Sequence, residues 1–391
     1  MKQYDSYKDS GVEWIGEVPS HWEVVPFKRA ITINNGCDYK HVQVEENGYP
    51  VIGSGGQFAW ANQYMYDGEA VLLGRKGTID KPMYYNGKFW TVDTMFYGIS
   101  KKNAKCKYLY YQAKIIPFER YATATALPSM TQTDLNNNRI CLPPIDEQSS
   151  IATYLDKKCS EIDNVISAQQ KRIALLQELK QSVITHAVTK GLDPNVEMKD
   201  SGVEWIGKVP AHWELIRTRY LCNLCTGNKD TINRVDDGKY PFYVRSPKVE
   251  RINTYSFDGE AILMAGDGVG AGKVFHYVKG KFDYHQRVYN FHNFKKVIGK
   301  FFFHYIANNF RYIIEEGGAK NTVDSVRLYM IQNFLMTVPT IEEQYKICEY
   351  IERKEIAFDT AISKALHQVE LLQEYKQSLI TEVVTGKRKV S

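Results

Sequence analysis

The feature that most constrains this chain is a stretch that occurs twice. Residues 142–189, LPPIDEQSSIATYLDKKCSEIDNVISAQQKRIALLQELKQSVITHAVT, return at 338–385 as VPTIEEQYKICEYIERKEIAFDTAISKALHQVELLQEYKQSLITEVVT. Glu147-Gln148 matches Glu343-Gln344, Asp163 matches Asp359, and Lys180-Gln181-Ser182 matches Lys376-Gln377-Ser378. Apolar residues at Ile151, Leu155, Ile162, Ile166, Ile173, Leu176 and Val183 keep one stripe on one helical face. The second copy repeats it with Ile347, Ile351, Phe358, Ile362, Val369, Leu372, Leu379 and Val383. Pro143-Pro144 and Pro339 block extension backwards, acidic residues occupy both first turns, and Gly191 and Gly386 are natural stops.

A helix of about 40 residues is roughly 60 Å long, too long to bury its stripe inside one small domain. The simplest partner for each stripe is the other. Helix 2 can reach helix 1 only by running back along it, so the spacing predicts an antiparallel coiled coil with a globular domain at each end. A chain of 391 residues is long for a single core. Without an apolar run near 18 residues or a signal-like start, the chain is expected to be cytoplasmic and off the membrane. Seven scattered cysteines fit reduced thiols, and Cys222 and Cys225, the only CxxC, have no second pair to complete a zinc site.

A second, shorter repeat precedes each domain. DSGVEWIGEVPSHWE at 9–23 recurs at 200–214, changing only Glu17 to Lys208 and Ser20 to Ala211. Trp14, Trp22, Trp205 and Trp213 within it read as a packing device. The segments between, 24–141 and 215–337, are only faintly alike: Tyr49-Pro50 aligns with Tyr240-Pro241, and Asp67-Gly68-Glu69-Ala70 with Asp258-Gly259-Glu260-Ala261. Short β-type runs separated by Gly, Asn and Asp turns predict one fold with diverged surfaces.

This order, with VEWIG-x-VP-x-HWE before each variable segment and Glu-Gln opening each long helix, resembles the specificity subunit of type I restriction-modification systems. The resemblance implies an α+β fold: two α/β-type target recognition domains separated by two long helices packed as an antiparallel coiled coil, with internal pseudo-twofold symmetry. The domains would be 1–141 for the first recognition domain, 142–190 for helix 1, 191–337 for an entry linker and the second recognition domain, and 338–391 for helix 2 and a tail. It further implies double-stranded DNA as ligand and two methyltransferase subunits docked on the helices, with restriction and translocase subunits attached through them. Catalysis, S-adenosylmethionine, ATP and Mg would then belong to the partners, leaving this chain with no catalytic residue, metal or cofactor of its own.

The residues taken by themselves agree with that division. A stand-alone adenine methyltransferase needs an (N/D)PP(Y/F) loop, and Leu142-Pro143-Pro144-Ile145 lacks both the polar and the aromatic end. The run Gly266 to Lys273 lacks a phosphate loop's Gly at Asp267 and its Ser or Thr at Val274, so a surface turn is expected. The net charge of +5 is carried by the variable segments, where DNA would bind. Three pairs of stretches are candidates for DNA contact. The first is Thr123, Thr125, Ser129, Thr131 and Gln132, with Lys320, Asn321, Thr322, Ser325 and Arg327. The second is Ser54 and Gln57 with Arg245 and Lys248; the third is Arg75-Lys76 against Gly266-Asp267. Candidate docking residues are Glu147, Gln148, Lys180, Gln181 and Ser182 with Glu343, Gln344, Lys376, Gln377 and Ser378. The expected target is interrupted and non-palindromic, with the helices as its ruler. A methylation-only system and a coiled-coil adaptor without DNA affinity are the alternatives.

Overall fold

The computed structural model describes residues 3–120, 128–316 and 325–390. It divides into two compact units, residues 1–170 with 367–391, and residues 171–366. The division falls inside both long helices, so each unit holds a part of each.

Seven helices of the fold matter here: α1 (Cys106–Ala113), α2 (Gln132–Asn137), α3 (Ile145–Lys190), α4 (Gly299–Asn309), the short α5 (Arg311–Glu316), α6 (Leu328–Asn333) and α7 (Ile341–Val384). The long helices start three residues after the repeat does. Leu142 and Val338 instead end strands, Arg139–Leu142 paired with Glu23–Pro26 and Leu335–Val338 paired with Glu214–Arg217. The prolines that follow have no N–H to continue either state, which makes them the switch from strand to helix. At the other ends Gly191 and Gly386 adopt positive φ, 80° and 76°, where a side chain would be strained.

Within the first unit, the first half of α3 and the last part of α7 run antiparallel. Asp163 receives Lys376 Nζ at 2.7 Å, and Gln112 Nε2 from α1 donates to the Val384 carbonyl at 2.7 Å. Within the second unit the relation repeats: Lys180 Nζ meets Asp359 at 2.8 Å, and Thr337 Oγ1 donates to the Val188 carbonyl at 2.7 Å. Ile151, Leu155, Ile162, Ile166, Ile173, Ile347, Ile351, Val369, Leu379 and Val383 are all buried, while the remaining stripe positions are half-buried.

The variable segments form mainly antiparallel sheets of one topology. In the first unit the strand order is Ile31–Asn35, Met95–Ser100, Tyr66–Gly74, Met83–Thr91, Tyr49–Gly53, Gly56–Ala61, Gln43–Val44. In the second it is Asn223–Thr226, Val288–His292, Phe257–Ala265, Phe275–Tyr284, Tyr240–Tyr243, Glu250–Ile252. Each sheet has one parallel pairing at the same place, Val51 beside Trp90 and Phe242 beside Asp283. In the second unit Phe301, Phe302, Tyr305 and Ile306 of α4 share a core with Ile262 and Phe291 of the sheet, Val188 of α3 and Ile347 and Ile351 of α7. The sheet is therefore packed directly on the long-helix ends that carry it.

The two repeated motifs meet in each unit. Trp22 and Trp213 are buried, and their indole N–H groups donate to Glu147 at 3.1 Å and Glu343 at 3.3 Å. His21 and His212 lie 3.0 and 2.8 Å from the same carboxylates, and the Tyr4 hydroxyl also bonds Glu147. Burial raises the Glu343 carboxyl pKa, but bonds from His212, Thr340 and Trp213 outweigh it and hold the group below the usual carboxylate range. HWE and EQ are thus the two faces of one joint between the entry segment and the first turn of a long helix.

Candidate nucleic-acid interface

The third pair of candidate stretches starts where the central strand of each sheet ends. In the first unit, Arg75 N–H donates to the Thr94 carbonyl at 2.8 Å, and the Arg75 carbonyl accepts from Met130 N–H at 3.0 Å. In the second unit, Gly266 N–H donates to the Arg287 carbonyl at 2.8 Å, and the Gly266 carbonyl accepts from Val326 N–H at 2.8 Å. The bridge between Lys76 and Ser129 has its counterpart between Asp267 and Ser325. The turn after the paired strands adds the other candidate stretch, because Val92 N–H donates to the Ile52 carbonyl and His285 N–H to the Tyr243 carbonyl. Stretches far apart in sequence therefore converge on the same backbone frame in both units.

The side chains on that frame differ. Arg75 and Lys76 are exposed, with the Arg75 guanidinium 5.8 Å above the Phe96 ring and 3.4 Å from the Asp93 carbonyl. In the second unit a Cβ at Gly266 would meet the Tyr289 ring at 2.8 Å, so no side chain fits where Arg75 stands. Asp267 is instead flanked by two arginines, Arg245 Nη1 at 3.0 Å and Arg287 Nε at 3.6 Å. A groove of about 370 Å³ opens beside them, lined by Thr226, Gln286, Tyr289, Ser325, Arg327 and Leu328 among others. His285 beneath it is buried. Burial, then the neighbouring Arg245, lowers its imidazole pKa, and its Nδ1 accepts from Arg287 N–H at 2.9 Å.

Several sequence-predicted residues serve the fold itself. Thr131 caps α2, its hydroxyl accepting from Asp134 N–H at 3.1 Å while Asp134 reaches back to Thr131 N–H. Gln132 Nε2 donates to the Ile33 carbonyl at 2.7 Å. Ser54 and Gly55 make the hairpin turn between the paired Gly53 and Gly56, and Gln57, opposite Ile52, is exposed. Lys248 is exposed and lies 3.7 Å from Glu250. Arg327 precedes α6 with no cap bond from its side chain. Thr123, Thr125, Lys320, Asn321 and Thr322 lie outside the described residues. Sequence reasoning missed Arg287, Tyr289 and Leu328. The turn beginning at Gly266 is two residues longer than the one at Arg75, which shifts the register and hides the match of Thr94 to Arg287.

The docking candidates also need correction. Gln148 and Gln344 are fully buried, so neither can meet a partner. Gln148 accepts from Lys105 N–H at 2.9 Å and donates to the Asn103 and Pro143 carbonyls. Gln344 does the same with Ile298 N–H and the Lys296 and Pro339 carbonyls. Glu147 and Glu343 belong to the joint described above. Lys180 and Lys376 make the cross-helix ion pairs, while Gln181 donates to the Asn308 carbonyl at 3.2 Å and Gln377 to the Lys114 carbonyl at 3.2 Å. Ser378 lies 3.4 Å from Glu382, and Ser182 lines a groove of about 660 Å³ with Gln181, Trp205 and Tyr312. Leucines and a tyrosine on the same helices remain open: Leu175 is 64% and Leu179 51% exposed, and their counterparts Leu371 and Tyr375 are 49% and 51% exposed.

Among the described residues no group of three or more His, Cys, Asp or Glu is placed to hold a metal ion, and no helix is long and apolar enough to cross a membrane. Cys222 is buried, its thiol pushed up to about 12 by that burial, and Cys225 lies 3.2 Å from the Tyr284 hydroxyl.

The model of the type I restriction modification DNA specificity domain matches residues 19–175 and again 210–370, one copy in each half. The chain belongs to the DNA specificity subunits of type I restriction-modification systems. It is 27% identical over 180 residues to the EcoDI type I restriction enzyme specificity subunit of Escherichia coli, covering 46% of this chain and 39% of that one. It is 22% identical to the MjaX putative type I restriction enzyme specificity subunit of Methanocaldococcus jannaschii, covering 96% of both. A solved chain from work on complex assembly and conformational transition of the type I R-M system shares the fold, with TM-score 0.71 and 13% identity, over 94% of this chain and 98% of that one. The specificity subunit thus carries two copies of the family's domain on one repeated scaffold.

Proposed function

We propose that each unit of this specificity subunit reads one half of a bipartite, interrupted, non-palindromic duplex target. The observation that carries this reading is the repeated backbone frame: the same bonds hold Arg75 and Gly266, while the side chains around them change from Lys76 and Thr94 to Asp267 and Arg287. Equal frames with unequal chemistry suit two half-sites of different sequence. The two long helices set the unread spacer, with half-sites about one helical turn, roughly 10 bp, apart.

The chain itself is non-catalytic in this reading. Two methyltransferase subunits dock on the quasi-equivalent helical faces, Leu175 with Leu179 and Leu371 with Tyr375, whose exposure on otherwise polar surface favours a protein partner. Those partners bring S-adenosylmethionine, and restriction subunits attached through them bring ATP and Mg²⁺. The assembly works in the cytoplasm. Methylome sequencing of cells that express this chain with its cognate methyltransferase subunit tests the proposal. A motif with two different half-sites and an unread gap is expected; a single continuous or palindromic motif would contradict it.

A further inference from the structure

We propose that Arg287 is a specificity-determining residue of the second unit, reading the edge of a guanine from a position fixed by Asp267. The proposal rests on the reading of each unit as a DNA half-site reader, and it begins with how firmly the residue is held. The Arg287 N–H donates to His285 Nδ1 at 2.9 Å and its carbonyl accepts from Gly266 N–H at 2.8 Å, so the backbone is tied on both sides. Its side chain is 66% exposed, and its Nε pairs with Asp267 at 3.6 Å. The far edge of the guanidinium has no hydrogen-bond partner among the described residues. A planar fork with one edge braced and the other free is preorganised for a bidentate acceptor.

Two acceptors on duplex DNA fit such a fork, the phosphate and the guanine O6 and N7 pair. Asp267 decides between them. A carboxylate beside the fork repels the full charge of a phosphodiester more than the partial charges of a neutral base edge, and the bond from Arg245 at 3.0 Å holds that carboxylate in place. A plain phosphate contact would need no brace; exposed lysines supply it without one. Leu328, 47% exposed on the rim of the groove, adds an apolar surface beside the fork. In the first unit Thr94 and Lys76 occupy the matching places, so its half-site is read by other groups.

The test is the methylated motif made by the full complex carrying Arg287→Lys, Arg287→Gln or Asp267→Asn. Arg287→Lys keeps the charge but loses the fork. Both Arg287 variants should relax discrimination at a single guanine of one half-site by about tenfold or more, Asp267→Asn should relax the same position less, and the other half-site should stay unchanged. That unchanged half-site, in the same reads, shows that the complex has folded and assembled. An intact motif with a uniform loss of affinity and a salt slope lower by about one charge would assign Arg287 to phosphate and overturn the proposal. A wild-type motif without two half-sites would instead overturn the half-site reading itself.

Discussion

The two units can be compared position by position, and the comparison separates what builds the scaffold from what acts on its surface. Where the repeated motifs meet, the atoms agree: Trp22 with Glu147 and Trp213 with Glu343, Gln148 and Gln344 each bridging one N–H and two carbonyls, Asp163 with Lys376 and Asp359 with Lys180. Away from the joints the same backbone carries different chemistry. Tyr111 of α1 donates to Asp156 at 2.6 Å, whereas His304 in the matching turn of α4 is buried with its Nε2 unbonded among the described residues. Divergence is tolerated even at a buried position such as that of Tyr111 and His304, and excluded where a side chain closes a joint.

The joints give the largest expected effects. Trp22→Ala and Trp213→Ala each remove a fully buried indole and its bond to a helix-opening glutamate, at a cost of about 3–5 kcal/mol. Denaturant unfolding should show similar losses for the two variants; a loss in only one would break the equivalence of the joints. The next contrast depends on pH. His304 is held down to about 4 by burial first and then by Lys300 and Lys180. Its folded value lies below the ordinary 6.5, so the stability tied to the neutral imidazole is fully present above pH 6.5 and is lost as pH falls towards 4, by roughly 3 kcal/mol at most. Urea midpoints between pH 7 and 4 should therefore fall less steeply in His304→Gln than in the wild type. An unchanged slope would remove His304 from the account.

Gln148→Ala and Gln344→Ala leave a backbone N–H and carbonyls without partners, costing about 1–3 kcal/mol each. Thermal melts should fall alike for both. Smallest are Lys180→Ala and Lys376→Ala, whose pairs with Asp359 and Asp163 are solvent-exposed and contribute less than about 1 kcal/mol. A loss well above that from either would mean that the ion pair does more than link the helices.

The sequence made the helices legible because their stripe, proline starts and glycine stops all belong to local rules that tertiary context did not override. The topology of the sheets was legible only as repeated strand-and-turn fragments, since pairing partners such as Val51 and Trp90 lie far apart in the chain. Gln148 and Gln344 were misread as surface because glutamine in a charged helix start usually is; their burial depends on carbonyls of Pro143 and Pro339 that the fold brings back over the amide. The candidate interface was located by turn chemistry at Arg75, Asp267, Ser129 and Ser325, which do converge. Arg287 escaped because its equivalence to Thr94 appears only once the longer turn is seen to preserve the same backbone bond.

The central claim, that one unit governs one half-site, is tested most directly by exchanging residues 24–141 for the corresponding segment of another specificity subunit and sequencing the methylated motif. The account predicts that one half-site changes while the other half-site stays as in the wild type. A change in both halves, or in neither while methylation persists, would contradict it.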